Sequence, residues 1–302
     1  MLKHSRRKRT QVSDRSVRRA LILFGSATRA EARGGLVYGP YLNEARPASI
    51  ATARGGACTK LRRHYIRQRQ QPPPRRGLVR DFSRRSRTRL QQMLCAIPVD
   101  RVGSGMLFVT LTYPAAFPGE WRVWKGHLHH FAVTLRRKLP AAAAVWKLEP
   151  QRRGAPHFHL VVVGVPFMAK EWLSRTWYEV VGSHDPKHLA AGTNVQAVHS
   201  HRGVVSYAAK YTAKHQELPD DWQGGVGRWW GVLNRDGLGI VWRWAYLSQA
   251  EYWQACRIVR RLVGHRQRAV GRAPPRSCSA GMWAVLRHYQ ALRLLRCLVA
   301  AR

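Results

Sequence analysis

The sequence predicts an α+β fold in which helices pack on an antiparallel sheet, and three observations point to it. Short runs rich in β-branched and aromatic residues, "MLFVTLT" and "HFHLVVV", alternate with longer segments whose apolar residues recur every three or four positions. Two of the strand runs, "AAAVWKLE" and "HFHLVVV", are joined only by the polar, Gly- and Pro-containing link from Pro150 to Pro156. The resulting order is strand, helix, strand, strand, helix, strand, helix, and a 45% hydrophobic content is enough to build a core beneath it.

Taken in chain order, residues 1–80 show little sustained periodicity, contain "QPPPRR" and carry glycine–arginine clusters, so a basic, loosely structured or disordered region is expected there. Ser83 can cap a helix whose apolar positions Leu90, Leu94 and Ile97 share a face, with Pro98 closing it. The strand "MLFVTLTYP" stops at Pro114. Residues 121–138 form a helix with Trp124, Leu128, Phe131 and Leu135 on one side and Arg136, Arg137 and Lys138 at its C-terminal end, where cations suit the helix dipole. The two linked strands follow, then a helix near 169–180, the strand "TNVQAVH" and a helix over "GVVSYAAKYTAKH". Residues 81–245 thus read as one domain. Residues 246–302 read as a basic helical region, with Trp283, Leu286, Tyr289 and Leu292 at helical spacing; packing on the main domain is the first reading for that helix, and contact with membrane, DNA or another subunit the alternative.

Charge narrows the partners. The 302 residues hold 53 Lys and Arg against 15 Asp and Glu, a net charge of +38, which favours a polyanion, nucleic acid first. The basic excess sits at the ends: residues 1–100 carry 24 basic and 5 acidic side chains, residues 251–302 carry 11 and 1. No apolar run approaches the roughly 18 to 20 residues that cross a bilayer, so no membrane partner is expected. The apolar core of "LILFG" is shorter than the ~7 residues a signal peptide needs. Five scattered cysteines without close pairs fit a reducing, cytoplasmic setting, and no small-molecule cofactor motif is present.

The chemistry concentrates in two clusters. In "RGAPHFHLVVV", His157 and His159 lie two apart on a strand and so share a face, while Phe158, Leu160 and Val162 alternate to the other. Glu149 ends the preceding strand, and a hairpin across 150–156 brings it beside the imidazoles. Two imidazoles and a carboxylate suit a divalent metal with positions left open for substrate; an isolated H-x-H is read first as two solvated histidines at a sheet edge, and it is the second cluster downstream that favours the metal. Downstream, "YAAKYTAK" places Tyr207 and Tyr211, and Lys210 and Lys214, four apart on a helix. A phenol with an ordinary pKa of ~10 is a poor nucleophile unless cations favour the phenolate, which the lysines supply; the bland alternative is an amphipathic helix with half-buried tyrosines.

Together, "FVTLTYP", "RGAPHFHLVV" and "YAAKYTAK", in that order, resemble motifs I to III of the HUH endonucleases, in particular the two-tyrosine rolling-circle replication initiators of single-stranded DNA phages and plasmids. The resemblance covers about residues 83 to 235. It implies a ferredoxin- or RRM-like antiparallel sheet of about five strands with the metal-site strand central, His157, His159 and Glu149 as ligands of Mg²⁺ or Mn²⁺, and Tyr207 and Tyr211 as nucleophiles. It further implies nicking of single-stranded origin DNA through a 5′-phosphotyrosine, with strand rejoining, in the cytoplasm of a bacterial host whose DNA polymerase extends the 3′ end. No G-x-x-x-x-G-K-[ST] motif is present, so unwinding falls to a host helicase.

Secondary candidates surround these clusters. Arg152, Arg153, Arg228 and Trp230 are candidate DNA contacts, the last two within "GRWWGVLNR", where tryptophans in a hydrophobic patch are an equal account. The "TLTYP" strand is assigned scaffold duty with DNA contact as an addition. His199 and His201 are read as solvated, and His127, His129 and His130 as surface or structural histidines. A transposase or relaxase of the same chemistry is the near alternative, against which the paired tyrosines argue. A non-catalytic basic DNA-binding protein would bind with steep salt dependence and form no adduct. A histidine-triad hydrolase would need a third histidine where Val161 stands.

Overall fold

The computed structural model describes residues 48–63, 79, 81–200, 203–204, 218–219, 222, 225–269, 271, 281–286, 290–291 and 293–294. Along the chain, the strands among them are β1 (Ala48–Ala53), β2 (Cys58–Arg63), β3 (Met106–Thr112), β4 (Ala143–Pro150), β5 (Pro156–Val163), β6 (Thr193–Ala197), β7 (Trp230–Leu233), β8 (Trp242–Leu247) and β9 (Gly281–Val285). The helices are α1 (Arg84–Ala96), α2 (Val99–Gly103), α3 (Trp121–Lys138), α4 (Lys170–Val180), α5 (Pro186–Ala191) and α6 (Gln249–Arg268). They divide into two units, one spanning residues 53–58 and 68–241, the other 1–52, 59–67 and 242–302.

The larger unit is built on a five-stranded sheet in the order β6-β3-β5-β4-β7, antiparallel at every pairing, with the histidine-bearing β5 in the middle. Alternation along the strands makes two different faces. Leu107, Val109 and Leu111 of β3, Trp146 and Leu148 of β4 and Phe158, Leu160 and Val162 of β5 meet Leu128, Phe131 and Leu135 of α3 and Leu173 and Trp177 of α4. Each such side chain, buried to 3% exposure or less apart from Trp146 at 7%, contributes on the order of 1.5–3 kcal/mol through lost contact with water.

Among the described residues, apolar side chains cover part of the opposite face. Leu90 and Leu94 of α1 pack on Met106, Val145, Val161 and Val163. Ser83 starts that helix as expected, its hydroxyl accepting the Ser86 amide N–H at 3.2 Å, and the helix ends at Ala96, ahead of Pro98. Beyond the reach of these apolar residues the same face turns polar, and there the candidate site lies. At the sheet's edge Gly231 permits β7 to approach Trp146, since a Cβ there would stand 2.8 Å from the indole.

The smaller unit overturns two expectations. Residues 48–63, placed within a loose region reaching to residue 80, form an antiparallel β1–β2 hairpin inside a four-stranded sheet ordered β8-β1-β2-β9. The region after residue 245 is not wholly helical: α6 is flanked by β8 and β9, and Trp283 lies on a strand. Both departures share a cause. "ASIATA" and "CTKLRR" are short and weakly apolar, and the strands beside them arrive about 190 and about 220 residues later, so no local period announces the sheet. Its core joins Ile50 and Leu61 to Leu247, to Tyr252, Ala255, Cys256 and Val259 of α6, and to Ala284.

Cys58, Cys95 and Cys256 are buried, while Cys278 and Cys297 lie outside the described residues. Among the described residues no helix is long and apolar enough to cross a membrane.

Candidate functional site

The site follows from strand register. Glu149 of β4 pairs directly with His157 of β5, and Lys147 with His159; on the other flank Thr112 of β3 pairs with His157 and Thr110 with His159. Paired residues project to the same side of a sheet, so six polar side chains from three adjacent strands converge on one face, with Phe158 at 0% exposure directly behind them.

Each imidazole is oriented through its Nδ1. The Thr112 hydroxyl lies 3.0 Å from His157 Nδ1, with Gln151 Nε2 at 3.2 Å, and the Thr110 hydroxyl lies 3.4 Å from His159 Nδ1. Where the Thr110 oxygen accepts from His159 Nδ1, that ring's Nε2 lone pair is left for a cation; at His157 the Gln151 amide, its oxygen held by Arg153, donates to Nδ1. The rings stand 4.4 Å apart, centroid to centroid. Burial, helped by the charges of His159 and Arg153 and opposed by Glu149, pushes the His157 pKa down to about 4, so this imidazole is neutral at neutral pH, the form that binds metals.

Thr112 is itself clamped. Its carbonyl accepts the Trp177 indole N–H at 2.7 Å and lies 2.8 Å from His188 Nε2, and its own N–H donates to the Gly192 carbonyl at 2.8 Å. Helices α4 and α5 thereby fix the strand end that fixes His157.

Glu149 is 6% exposed and has two partners: the Lys147 ammonium donates to Oε1, and His159 Nε2 stands 3.4 Å from Oε2. Burial alone would raise its pKa; the His159 hydrogen bond and the Lys147 charge prevail and draw it down to about 2. An imidazole nitrogen and a carboxylate oxygen 3.4 Å apart on one sheet face are donors of the kind a divalent cation takes. Among the described residues, no three His, Cys, Asp or Glu side chains form a complete metal-holding group.

Lys147 is not among the residues the sequence singles out, although the alternation in "WKLE" places it two residues from Glu149 and on its face. The threonines, read as scaffold, hold both imidazoles. Arg153, a candidate DNA contact, is exposed and also braces the protein: its guanidinium donates to the carbonyls of Tyr113 at 2.6 Å, Pro114 at 2.7 Å and Ala115 at 3.1 Å and to Gln151 Oε1 at 3.1 Å, pinning the β4–β5 turn and presenting Gln151 to His157. Arg152 and Arg228 are exposed. Trp230 is half-buried against the α1 layer and its indole N–H donates to the Ser86 hydroxyl at 3.0 Å, while Trp229 is buried beside Trp222. His199 is exposed, and His127 meets the Tyr113 hydroxyl at 2.9 Å. Tyr207, Lys210, Tyr211, Lys214 and His201 lie outside the described residues.

The fold and site define an α+β protein with a histidine pair on the central strand of an antiparallel sheet, backed by a buried carboxylate. Residues 106–216, from β3 through the two tyrosines, match the family model of the replication-associated protein ORF2. The chain is also 26% identical over 203 residues to a replication-associated protein of Pseudomonas phage Pf3, covering 64% of this chain and 71% of that one. It is 27% identical over 179 residues to a protein of Xylella fastidiosa (strain 9a5c) named as a candidate replication protein, covering 52% of this chain and 57% of its relative. No solved structure matches. These likenesses support the resemblance drawn from the three motifs: the chain is similar to replication-associated proteins.

Proposed function

We propose that this protein nicks single-stranded origin DNA and holds the 5′ end on a tyrosine, initiating rolling-circle replication. The observation that carries the reading is the register that sets His157, His159 and Glu149 side by side on β5 and β4, inside the segment that matches replication-associated proteins and that also contains Tyr207 and Tyr211. His157, His159 and Glu149 would hold a divalent cation, Mg²⁺ or Mn²⁺, which when bound supplies Lewis-acid polarisation of the scissile phosphate.

The remaining work belongs to the chain. Thr110 and Thr112 hold the imidazoles, and Lys147 keeps Glu149 ionised. Tyr207 or Tyr211 attacks phosphorus: a bond from its phenolic oxygen to phosphorus forms as the bond from phosphorus to the 3′ oxygen breaks, the phenol losing its proton and the 3′ oxygen gaining one. Lys210 and Lys214 stabilise the phenolate and the phosphate charge. The second tyrosine repeats the exchange to rejoin the copied strand. Arg152 and Arg228 offer phosphate contacts, and host helicase and polymerase in the bacterial cytoplasm complete replication.

The test is incubation with labelled single-stranded origin oligonucleotides and Mg²⁺ or Mn²⁺, followed by denaturing electrophoresis. A covalent species is expected that disappears when Tyr207 and Tyr211 are both changed to Phe, and cleavage is lost in His157→Ala with folding intact. Salt-dependent binding with no adduct on any origin, or an adduct that survives the double substitution, overturns the proposal.

A further inference from the structure

The smaller unit lies outside the matched segment, and its sheet has one face turned to its core and one turned away. Ile50, Leu61, Ala245, Leu247, Met282 and Ala284 belong to the core beneath α6. Alternation therefore sends Trp242 and Tyr246 of β8, Lys60 and Arg62 of β2 and Trp283 of β9 to the outer face. A direct contact confirms the assignment: Lys60 Nζ sits 4.0 Å from the centroid of the Trp242 ring, two strands away. It crosses β1 over the small residue Ala51, its pairing partner.

We infer that this outer face binds single-stranded nucleic acid, bases stacking on Trp242, Tyr246 and Trp283 and phosphates meeting Lys60 and Arg62. The inference extends the reading above to a second surface and does not depend on cleavage. The chemistry favours this occupant over an apolar or cationic one. Aromatic rings on a sheet, flanked by cations, are the arrangement that stacks unpaired bases and tracks a phosphate backbone. None of the four strands carries an Asp or Glu, and residues 242–302 hold twelve arginines against one acidic side chain, Glu251. All three rings are half-buried, so each is held in place by its surroundings while keeping exposed surface. The ammonium of Lys60 covers a ring face that a base would take, and its flexible stem lets it swing to the neighbouring phosphate as the base arrives. A duplex keeps its base faces stacked internally, so the surface selects single strands.

The test uses the full chain, a fluorescein-labelled oligothymidylate of about twenty nucleotides with no origin sequence, and EDTA, so that strand cutting plays no part. At roughly 0.3 M salt, where backbone contacts are weakened, Trp242→Ala should raise Kd by about 5- to 150-fold, the range for one stacked base, and Trp242→Phe should recover most of it. Lys60→Gln with Arg62→Gln should flatten the slope of log K against log salt by about 1.4, for two phosphates on a single strand. That double variant leaves the rings intact and so stands if an aromatic truncation misfolds. Ultraviolet cross-linking with peptide mapping should place adducts on 242–247 and 281–285. Wild-type affinity in Trp242→Ala together with an unchanged salt slope in the Lys60/Arg62 variant overturns the inference, as do cross-links confined to 106–216. Failure of nicking with these signals present counts only against the cleavage reading.

Discussion

Replacing Lys147 with Met tests whether the polar face is the charge-balanced cluster described above. The side chains of Lys147 and Glu149 are 5% and 7% exposed, so Lys147→Met leaves a carboxylate in a place water barely reaches. Lys147 is one of two partners, after His159, that hold the Glu149 pKa down at about 2, and breaking a buried pair costs ~3–5 kcal/mol. A loss of about 3 kcal/mol at pH 7 is therefore expected in urea unfolding followed by tryptophan fluorescence. The sign with pH follows from proton counting. Between pH 4.5 and 2 the unfolded state binds the proton that folded Glu149 refuses, so the wild-type contribution is complete above 4.5 and vanishes as pH falls through 2. In Lys147→Met the folded pKa rises and that acid-range loss shrinks. Adding Glu149→Leu removes the stranded charge and should return stability to within ~1 kcal/mol of wild type, because apolar side chains of similar volume replace buried ion pairs at little cost. A single-variant loss under ~1 kcal/mol, or a double variant no more stable than the single, refutes the reasoning.

Two further outcomes probe the supports of the site. Thr112→Val keeps the side-chain shape and removes the hydroxyl that lies 3.0 Å from His157 Nδ1; Mn²⁺ affinity measured by titration calorimetry should fall about 10- to 100-fold, and unchanged affinity would show that the hydroxyl orients nothing. On the other side of the sheet, Lys125 donates to the Arg228 carbonyl at 2.7 Å beneath Trp146, and burial pushes its pKa down to about 7. The unfolded lysine therefore holds a proton the folded one releases between pH 7 and 10.5. The stability of wild type minus that of Lys125→Met should climb with pH across that window, and a flat difference curve in urea unfolding would contradict the burial.

Much of the larger unit was legible because its signals are local. The Ser83 cap, the apolar face Trp124–Leu128–Phe131–Leu135 and the alternation in "MLFVTLT" each lie within one element and needed no knowledge of neighbours. The pairing of Glu149 with His157 was legible for the same reason, since the five-residue link 151–155 leaves the hairpin little freedom of register. No local signal recorded the partners of the exposed Arg153, three carbonyls after β3 that lie 38 to 40 residues earlier in the chain. Trp230 similarly carried no sign of the Ser86 hydroxyl that receives its N–H 144 residues earlier in the chain.

By itself, then, the sequence determined that His157 and His159 share a face and that an apolar layer lies behind them, because a strand's period of two is a property of the backbone alone. Only the tertiary structure decided which side chains stand against them. Thr110 and Thr112 reach the imidazoles because β3 pairs with β5 in a register set by the common core on α3 and α4. The sheet carrying Trp242 and Lys60 exists because the two ends of the chain bury one face together around α6. Such alignments depend on how distant surfaces fill shared volume, and no periodicity within a single segment records that.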